Sequence, residues 1–379
     1  MKMNWRALAG LLFSCLVLLP LSSARAQQGG TIKLGQSVPL TGALAELGTE
    51  YRDGALAYFN WVNSKGGVHG RRIELLAMDD AYVVERSLEN ARRLLDKDGV
   101  LAFFGMFGSA NYAAVQPLVN ERGVPSLAPY TGSDELRAQP SPTTFWLRAS
   151  YGDESEKIID QLTTLGIDRI AVFYQNDAFG KAGLAGVENA LKKRGLKLRG
   201  SGVYDKTKND VTEAVKAIAA VNPQAVVMIS TYKPTAAFVK QMRQTGQVPQ
   251  FFALSVVGFK ALQAELGNEV VGVAISQVVP YPWSSTKPVV REFLALPKEF
   301  QPAAGATYTT LEGYLAAKVM VEALQRAGPQ LNREKLLAAL DGMRPYDSGG
   351  FTVNYNGKDR LGSRFVEVTI VGNGGRLMR

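Results

Sequence analysis

Few side chains in this sequence are equipped for covalent or acid–base chemistry. It holds one histidine, His69, and one cysteine, Cys15. His69 stands in Gly66-Gly67-Val68-His69-Gly70 and is read as a turn residue at a solvent edge. One histidine and no mature cysteine cannot build the nitrogen and sulfur ligand set of a typical zinc site, so no metal is expected. No Gly-x-Ser-x-Gly elbow precedes a histidine, and no Walker-type phosphate loop follows a strand. Gly105-Met106-Phe107-Gly108 lacks the third glycine of a dinucleotide loop and reads instead as a loop of close approach. Asp79-Asp80 offers two carboxylates, but neighbours on a strand point to opposite faces, which argues against a shared proton. One of them is expected to cap the next helix or tie its loop down. The chain is therefore read as non-enzymatic and free of cofactors.

Binding chemistry is better represented. Gly105–Asn111 follows an apolar strand and opens a helix near Ser109. Amides at a helix start carry partial positive charge and accept a carboxylate readily. Ser109 also suits a plain N-cap, and the two roles are compatible. Pro129-Tyr130-Thr131-Gly132-Ser133 is a second loop with amide and hydroxyl donors. Aromatics recur at strand exits: Tyr82, Tyr130, Tyr151, Phe179 and Tyr232. They suggest a partly aromatic cleft.

The elements that must position these residues alternate between strand and helix periodicity. Strands are expected at 31–38, 72–78, 100–104, 125–128, 144–147, 169–174, 197–204, 225–229, 250–254 and 272–277. Leu88, Ala91 and Leu95 share one helical face, as do Ile158, Leu162 and Leu165, and Leu184, Val187 and Leu191. Asp153 with Glu156 reads as a helix-start capping box. Wholly apolar strands such as Ala225–Ile229 indicate parallel sheets covered on both faces. The alternation restarts near residue 150, after Pro140-Ser141-Pro142, so an α/β fold of two doubly wound, Rossmann-like lobes is expected. A long helix at 308–327 and a Gly-rich, hairpin-like stretch at 351–371 are expected to cross back and complete both sheets. Ligands bind beyond the carboxyl ends of the strands in such folds, where the loops named above lie.

Composition sets the compartment and excludes some partners. Lys2 and Arg6 precede an apolar run from Leu8 to Leu19, and Ala24-Arg25-Ala26 follows Pro20. This is the layout of a cleaved secretory leader, residues 1–26, and the run is too short to span a bilayer. Leu12-Phe13-Ser14-Cys15 is a poor lipidation match. Cys15 falls in the leader, so the mature chain has no disulfide, which suits a periplasmic protein with a core large enough to need no staples. The formal charge is +9, and the leader's three bases reduce it to +6. Basic residues such as Lys192-Lys193-Arg194 are scattered along helices without interleaved aromatics, so nucleic acid is not an expected partner.

These segments together resemble the periplasmic substrate-binding proteins of branched-chain amino-acid-type ABC importers, the leucine/isoleucine/valine-binding family with the type I periplasmic binding fold. The likeness runs through Pro39-Leu40-Thr41-Gly42, Gly54-Ala55, residues 62–71, Asp79-Asp80, Gly105–Ser109, Pro125–Leu136 and Phe179-Gly180. It implies two lobes joined by a three-strand hinge, 27–147 with 277–342 and 148–276 with 343–379. It implies a small-molecule ligand, an inner-membrane ABC permease as partner, and a monomer that catalyses no reaction. By the family pattern Ser109, Asn111, Tyr130, Thr131 and Gly132 hold a ligand carboxylate. Leu47, Tyr151, Phe179 and Tyr232 face the ligand from both lobes. Amino-acid binders place an acid after the strand corresponding to 250–254, to pair with the ligand ammonium, whereas this chain has Ser255. Unless Glu154 or Asp177 takes over, the departure favours an amine-free aromatic or aliphatic acid over an amino acid. A periplasmic sensor subunit with the same fold remains the alternative.

Overall fold

The computed structural model describes residues 30–208, 210–355 and 359–379. The leader and Cys15 lie outside the described residues. The first lobe is built from β1 (Ile32–Val38), α1 (Ala45–Ser64), β2 (Ile73–Asp79), α2 (Val84–Asp96), β3 (Ala102–Phe104), α3 (Ser109–Glu121), β4 (Ser126–Leu127), α4 (Asp134–Ala138) and β5 (Thr144–Phe145). Its sheet is wholly parallel, ordered β2-β1-β3-β4-β5. Alternation along β3 divides its core. Ala102 and Phe104 join the cluster that holds Phe59 of α1, while Phe103 joins Leu94, Val115 and Val119 of α2 and α3.

The second lobe follows with α5 (Tyr151–Thr164), β6 (Ile170–Gln175), α6 (Ala178–Lys193), β7 (Gly200–Tyr204), α7 (Thr212–Ala220), β8 (Ala225–Ile229), α8 (Tyr232–Gln244), β9 (Gln250–Ala253), α9 (Phe259–Leu266) and β10 (Ala274–Gln277). The chain then runs through α10 (Pro288–Leu294), α11 (Tyr308–Ala327), α12 (Arg333–Asp341), β11 (Tyr346–Asp347), β12 (Thr352–Val353), β13 (Glu367–Val371) and β14 (Leu377–Met378). The second sheet is ordered β14-β13-β10-β9-β8-β6-β7, and β13 is antiparallel to both neighbours. Every residue of β8 is buried, as a central strand with both faces covered requires.

α11 returns to the first lobe and lies directly on α1. A Cβ on Gly54 would stand 2.0 Å from the Thr310 carbonyl oxygen, and one on Gly313 would stand 2.1 Å from that of Tyr51. Two glycines thus let the helix backbones touch, and no larger residue fits at either position.

Two local expectations are corrected. The capping box of α5 begins at Ser150, whose hydroxyl accepts from the Asp153 amide while the Asp153 carboxylate accepts from the Ser150 amide. Asp153 is its third residue, not its first. Residues 351–371 do not form one hairpin: β12 pairs back with β11, and the strand at 367–371 pairs with β10 and β14. β13 and β14 extend the second sheet, while Leu361 makes a parallel bridge to Trp146 at the end of β5 in the first, so the C-terminal segment touches both sheets as expected. The segment 343–379, assigned whole to the second lobe from sequence, is shared. Tyr355 donates to Met343, Trp146 to Arg360 and Val289 to Gly349, so residues up to 362 lie against β5, α10 and α12 before β13 joins the second sheet.

Candidate functional site

The loops beyond the carboxyl ends of both sheets meet over one cleft. Leu44, Leu47, Tyr82, Phe107, Gly108, Ser109 and Tyr130 line it from the first lobe, and Tyr151, Phe179, Thr231 and Val256 from the second. The free space is only about 20 Å³, so the walls stand close together. A larger groove of about 770 Å³ runs outside α4, α5 and α6 and shares no residue with it. That groove is edged by surface charges such as Lys181 and Lys193.

The first wall is set by the turn after β3. Gly105 and Gly108 have φ of +59° and +93°, conformations that favour glycine. A Cβ on Gly105 would stand 2.5 Å from the Tyr51 ring, and one on Gly108 would stand 2.7 Å from the Tyr82 ring. The turn ends at Gly108, the N-cap of α3, which supplies no side-chain cap. The first-turn amides of α3 are therefore left to an outside acceptor. Ser109 is the first helical residue, not the cap. Its hydroxyl lies 2.7 Å from that of Thr131 and 3.4 Å from that of Tyr151. Three hydroxyls and a positive helix end thus converge at one end of the cleft.

Aromatic rings make the other surfaces. Phe107 and Tyr130 stack at 4.5 Å, Tyr82 meets Phe107 edge-on at 6.3 Å, and Tyr151 meets Phe179 at 5.4 Å. Tyr82 holds a left-handed backbone (φ +63°), and Lys206 of the other lobe lies 4.5 Å over its ring. Burial pushes the Tyr82 and Tyr151 phenols up from their ordinary values, so both remain neutral donors.

Asp79 and Asp80 do not share a proton. Asp79 accepts from the amides of Leu40, Thr41 and Ala81 and from the Thr41 hydroxyl, which ties down the turn after β1. Burial opposes its charge, but these donors hold its carboxyl below the usual range. Asp80 accepts from the Ser37 and Ser87 hydroxyls and the Tyr82 amide, and burial raises it. His69 sits at an exposed turn, within 3.0 Å of the Gln325 carbonyl oxygen.

Of the residues singled out from sequence, Leu47, Ser109, Tyr130, Tyr151 and Phe179 line the cleft. Thr131 reaches it through Ser109. Gly132 lies behind, where a Cβ would stand 2.5 Å from the Tyr151 ring. Asn111 turns away and donates to Ser87. Tyr232 crosses between the lobes to donate to the Ala43 carbonyl at 2.6 Å, and its neighbour Thr231 lines the cleft. Ser255 turns inward and its neighbour Val256 lines the wall.

Neither acid suggested as an ammonium partner is free. Glu154 accepts from the Ser255 amide and hydroxyl and from Ser276 Oγ, at 2.8, 3.0 and 2.5 Å. Asp177 caps α6 through the Phe179 and Gly180 amides, accepts from Gln175 and pairs with Lys206 at 3.5 Å. The loops that carry Phe107 and Gly108 at the wall were expected as whole segments, without those residues being singled out, and Leu44 was missed. The sequence reading also missed Arg148, a buried base between Glu154 and Glu312. A lone base just after the apolar strand at 144–147 was the available signal.

Two lobes of largely parallel sheet closed over an aromatic cleft, with donors at one end, are the build of a two-lobed ligand-binding protein. A model of the periplasmic binding protein family matches residues 31–376, and the chain belongs to that family, in its branched-chain amino-acid type with the type I fold. A Leu/Ile/Val-binding protein homolog 7 from Brucella abortus is 26% identical over 335 residues, 82% of either chain. A substrate-binding periplasmic protein from Ralstonia solanacearum is 36% identical, covers 92% of this chain and 99% of its own, and superposes with a TM-score of 0.86. A possible leucine/isoleucine/valine-binding protein from Rhodopirellula baltica is 29% identical over 93% and 97% of the two chains, with a TM-score of 0.87. Members of this family are binding proteins, not enzymes.

Proposed function

We propose that the protein is the periplasmic receptor of an ABC importer and closes its lobes over a small carboxylate with an apolar, aromatic or aliphatic body and no amine. The observation that carries this reading is the uncapped first turn of α3, with the Ser109, Thr131 and Tyr151 hydroxyls beside it at one end of an aromatic cleft. A carboxylate there completes the helix end and accepts from the hydroxyls. The rings of Tyr82, Phe107, Tyr130 and Phe179 supply the surface for the apolar body. No acidic side chain lines the cleft, and an ammonium buried without one is costly. The names of the Brucella and Rhodopirellula relatives point to branched-chain amino acids, whose carboxylates this end of the cleft also suits. The amine is where this chain is expected to differ.

The moving bodies are taken as 27–147 with 277–362 and 148–276 with 363–379, an inner-membrane permease as the partner, and a monomer as the working state. Native mass spectrometry of the mature protein, followed by a thermal-shift screen, tests the reading. A ligand that binds only the folded state raises the melting temperature by mass action. Shifts with hydrocinnamate, benzoate or isovalerate, and none with phenylalanine or valine, are expected. A shift with the amino acids alone refutes it.

A further inference from the structure

We infer that Arg148 is the specificity residue that makes this cleft refuse a ligand ammonium, because its guanidinium fills from within the protein the place beside Glu154 and Ser255 that a ligand cation would take. The inference rests on the carboxylate reading above and names the residue that narrows it.

Glu154 lies three residues beyond Tyr151 on α5, so the two share a helix face. Tyr151 lines the cleft, and so does Val256, whose neighbour Ser255 binds Glu154 through both amide and hydroxyl. Glu154 is thus an acid one helical turn behind the cleft wall. Arg148 stands over it. One guanidinium nitrogen, Nη2, hydrogen-bonds the Ser255 hydroxyl and lies 3.9 Å from Glu154 Oε1, and Nε lies 3.6 Å from Glu312 Oε1. The guanidinium carbon is 4.5 Å above the Tyr130 ring, itself part of the wall. Arg148 is 2% exposed.

This is a poor arrangement for stability alone. An arginine does best when its fork grips a carboxylate through two parallel bonds. Here Nε and Nη1 have no hydrogen-bond partner among the described residues, and both carboxylates stand beyond hydrogen-bond reach. Buried donors left unpaired carry a desolvation penalty. The position makes better sense as a plug. A ligand ammonium approaching Glu154 would meet a fixed positive charge and gain no free acceptor. Burial raises the nearby Glu312 carboxyl to about 7 against the pull of Arg148, so its counter-charge weakens as the medium turns acid.

Two ligand pairs that differ only in the amine test this: hydrocinnamate with phenylalanine, and isovalerate with valine, titrated calorimetrically into the full mature chain. The wild type is expected to prefer the amine-free member by about 100-fold or more. Arg148→Met keeps length and removes charge. It is expected to lower that ratio at least tenfold by gaining affinity for the amino acid, and adding Glu154→Gln to it should abolish the gain. An unchanged ratio in Arg148→Met, or a gain that survives Glu154→Gln, overturns the inference. If Arg148→Met does not fold, Ser255→Ala removes the anchoring hydroxyl and keeps both charges. Its ratio should fall several-fold, and an unaltered ratio overturns the inference equally. A wild type that prefers the amino acid, or binds neither amine-free acid, instead defeats the carboxylate reading itself, before any variant is compared.

Discussion

Replacing Glu312 by glutamine should flatten one component of the protein's pH–stability profile. Glu312 lies near the start of α11, 5% exposed, with Arg148 Nε at 3.6 Å. Burial pushes its carboxyl from 4.5 up to about 7, against the pull of Arg148. A carboxyl raised on folding binds its proton more tightly in the native state. Its contribution to stability is therefore fully present below about pH 4.5 and is lost as pH rises to about 7 and beyond. A shift of that size is worth about 3 kcal/mol in all, of which about 2–3 kcal/mol falls between pH 5 and pH 8. Urea unfolding of wild type and Glu312→Gln at both pH values, at one ionic strength, isolates the effect because the other carboxylates are common to both. The wild type should lose about 2–3 kcal/mol relative to the variant between pH 5 and pH 8. A difference between the two proteins that stays constant over that range would mean that Glu312 is ionised throughout and that Arg148 carries its charge.

Three further perturbations separate contact with ligand from closure of the lobes. Tyr232→Phe deletes only the bond to the Ala43 carbonyl, and its loss of about 1 kcal/mol should weaken ligand binding about fivefold with the melting temperature of the ligand-free protein nearly unchanged. Unaltered affinity would show that the bond does not discriminate between open and closed states. Gly258→Ala places a Cβ 2.3 Å from Leu47 Cδ2 at a residue with φ of +70°, so closure should be impeded and affinity lowered about tenfold. Adding Leu47→Ala should recover part of that loss, and small-angle scattering with saturating ligand would expose a failure to compact. Phe179→Ala removes one aromatic face and should cost at least about 2 kcal/mol of binding, whereas Ser109→Ala leaves the helix amides in place and should cost about 1 kcal/mol or less. Equal effects in calorimetry would contradict this division of labour.

Strand positions were legible because apolar runs of the right length must pair: each of the ten expected strands is present, with ends shifted by no more than three residues. The long helix expected at about 308–327 is α11, with the same bounds. The opposed roles of Asp79 and Asp80 followed from strand geometry alone. Contacts between distant segments were not legible. Arg148 and Ser255 are 107 residues apart, and nothing local to either announces the other. Tyr232 was expected over the ligand because it leaves a strand at the cleft. Its hydroxyl instead reaches a carbonyl 189 residues away, and that choice depends on how far the lobes close. The capping box was displaced by three residues because Ser150 and Asp153 satisfy each other's amides, and that pairing outcompetes Asp153 as a start.

The division of the cleft explains why such a site should close rather than stand rigid. The donor-lined end belongs mostly to the first lobe, through α3, Ser109 and Thr131, while Phe179, Thr231 and Val256 face it from the second. A ligand can settle on the first lobe while the cleft is open, but only the closed state presents both sets of contacts. Ligand then shifts the lobes by the difference between those affinities and by nothing else. Two contacts add a share that does not depend on ligand chemistry: the Tyr232 bond to Ala43 and the packing of Leu47 on Gly258. Selectivity must therefore come from the surface that completes the second half of the cleft. In this chain that surface pairs aromatic rings with a wall behind which Arg148 stands beside the nearest acid, 3.9 Å away. On the proposed reading, an apolar body would gain contact on closing and an ammonium would gain none.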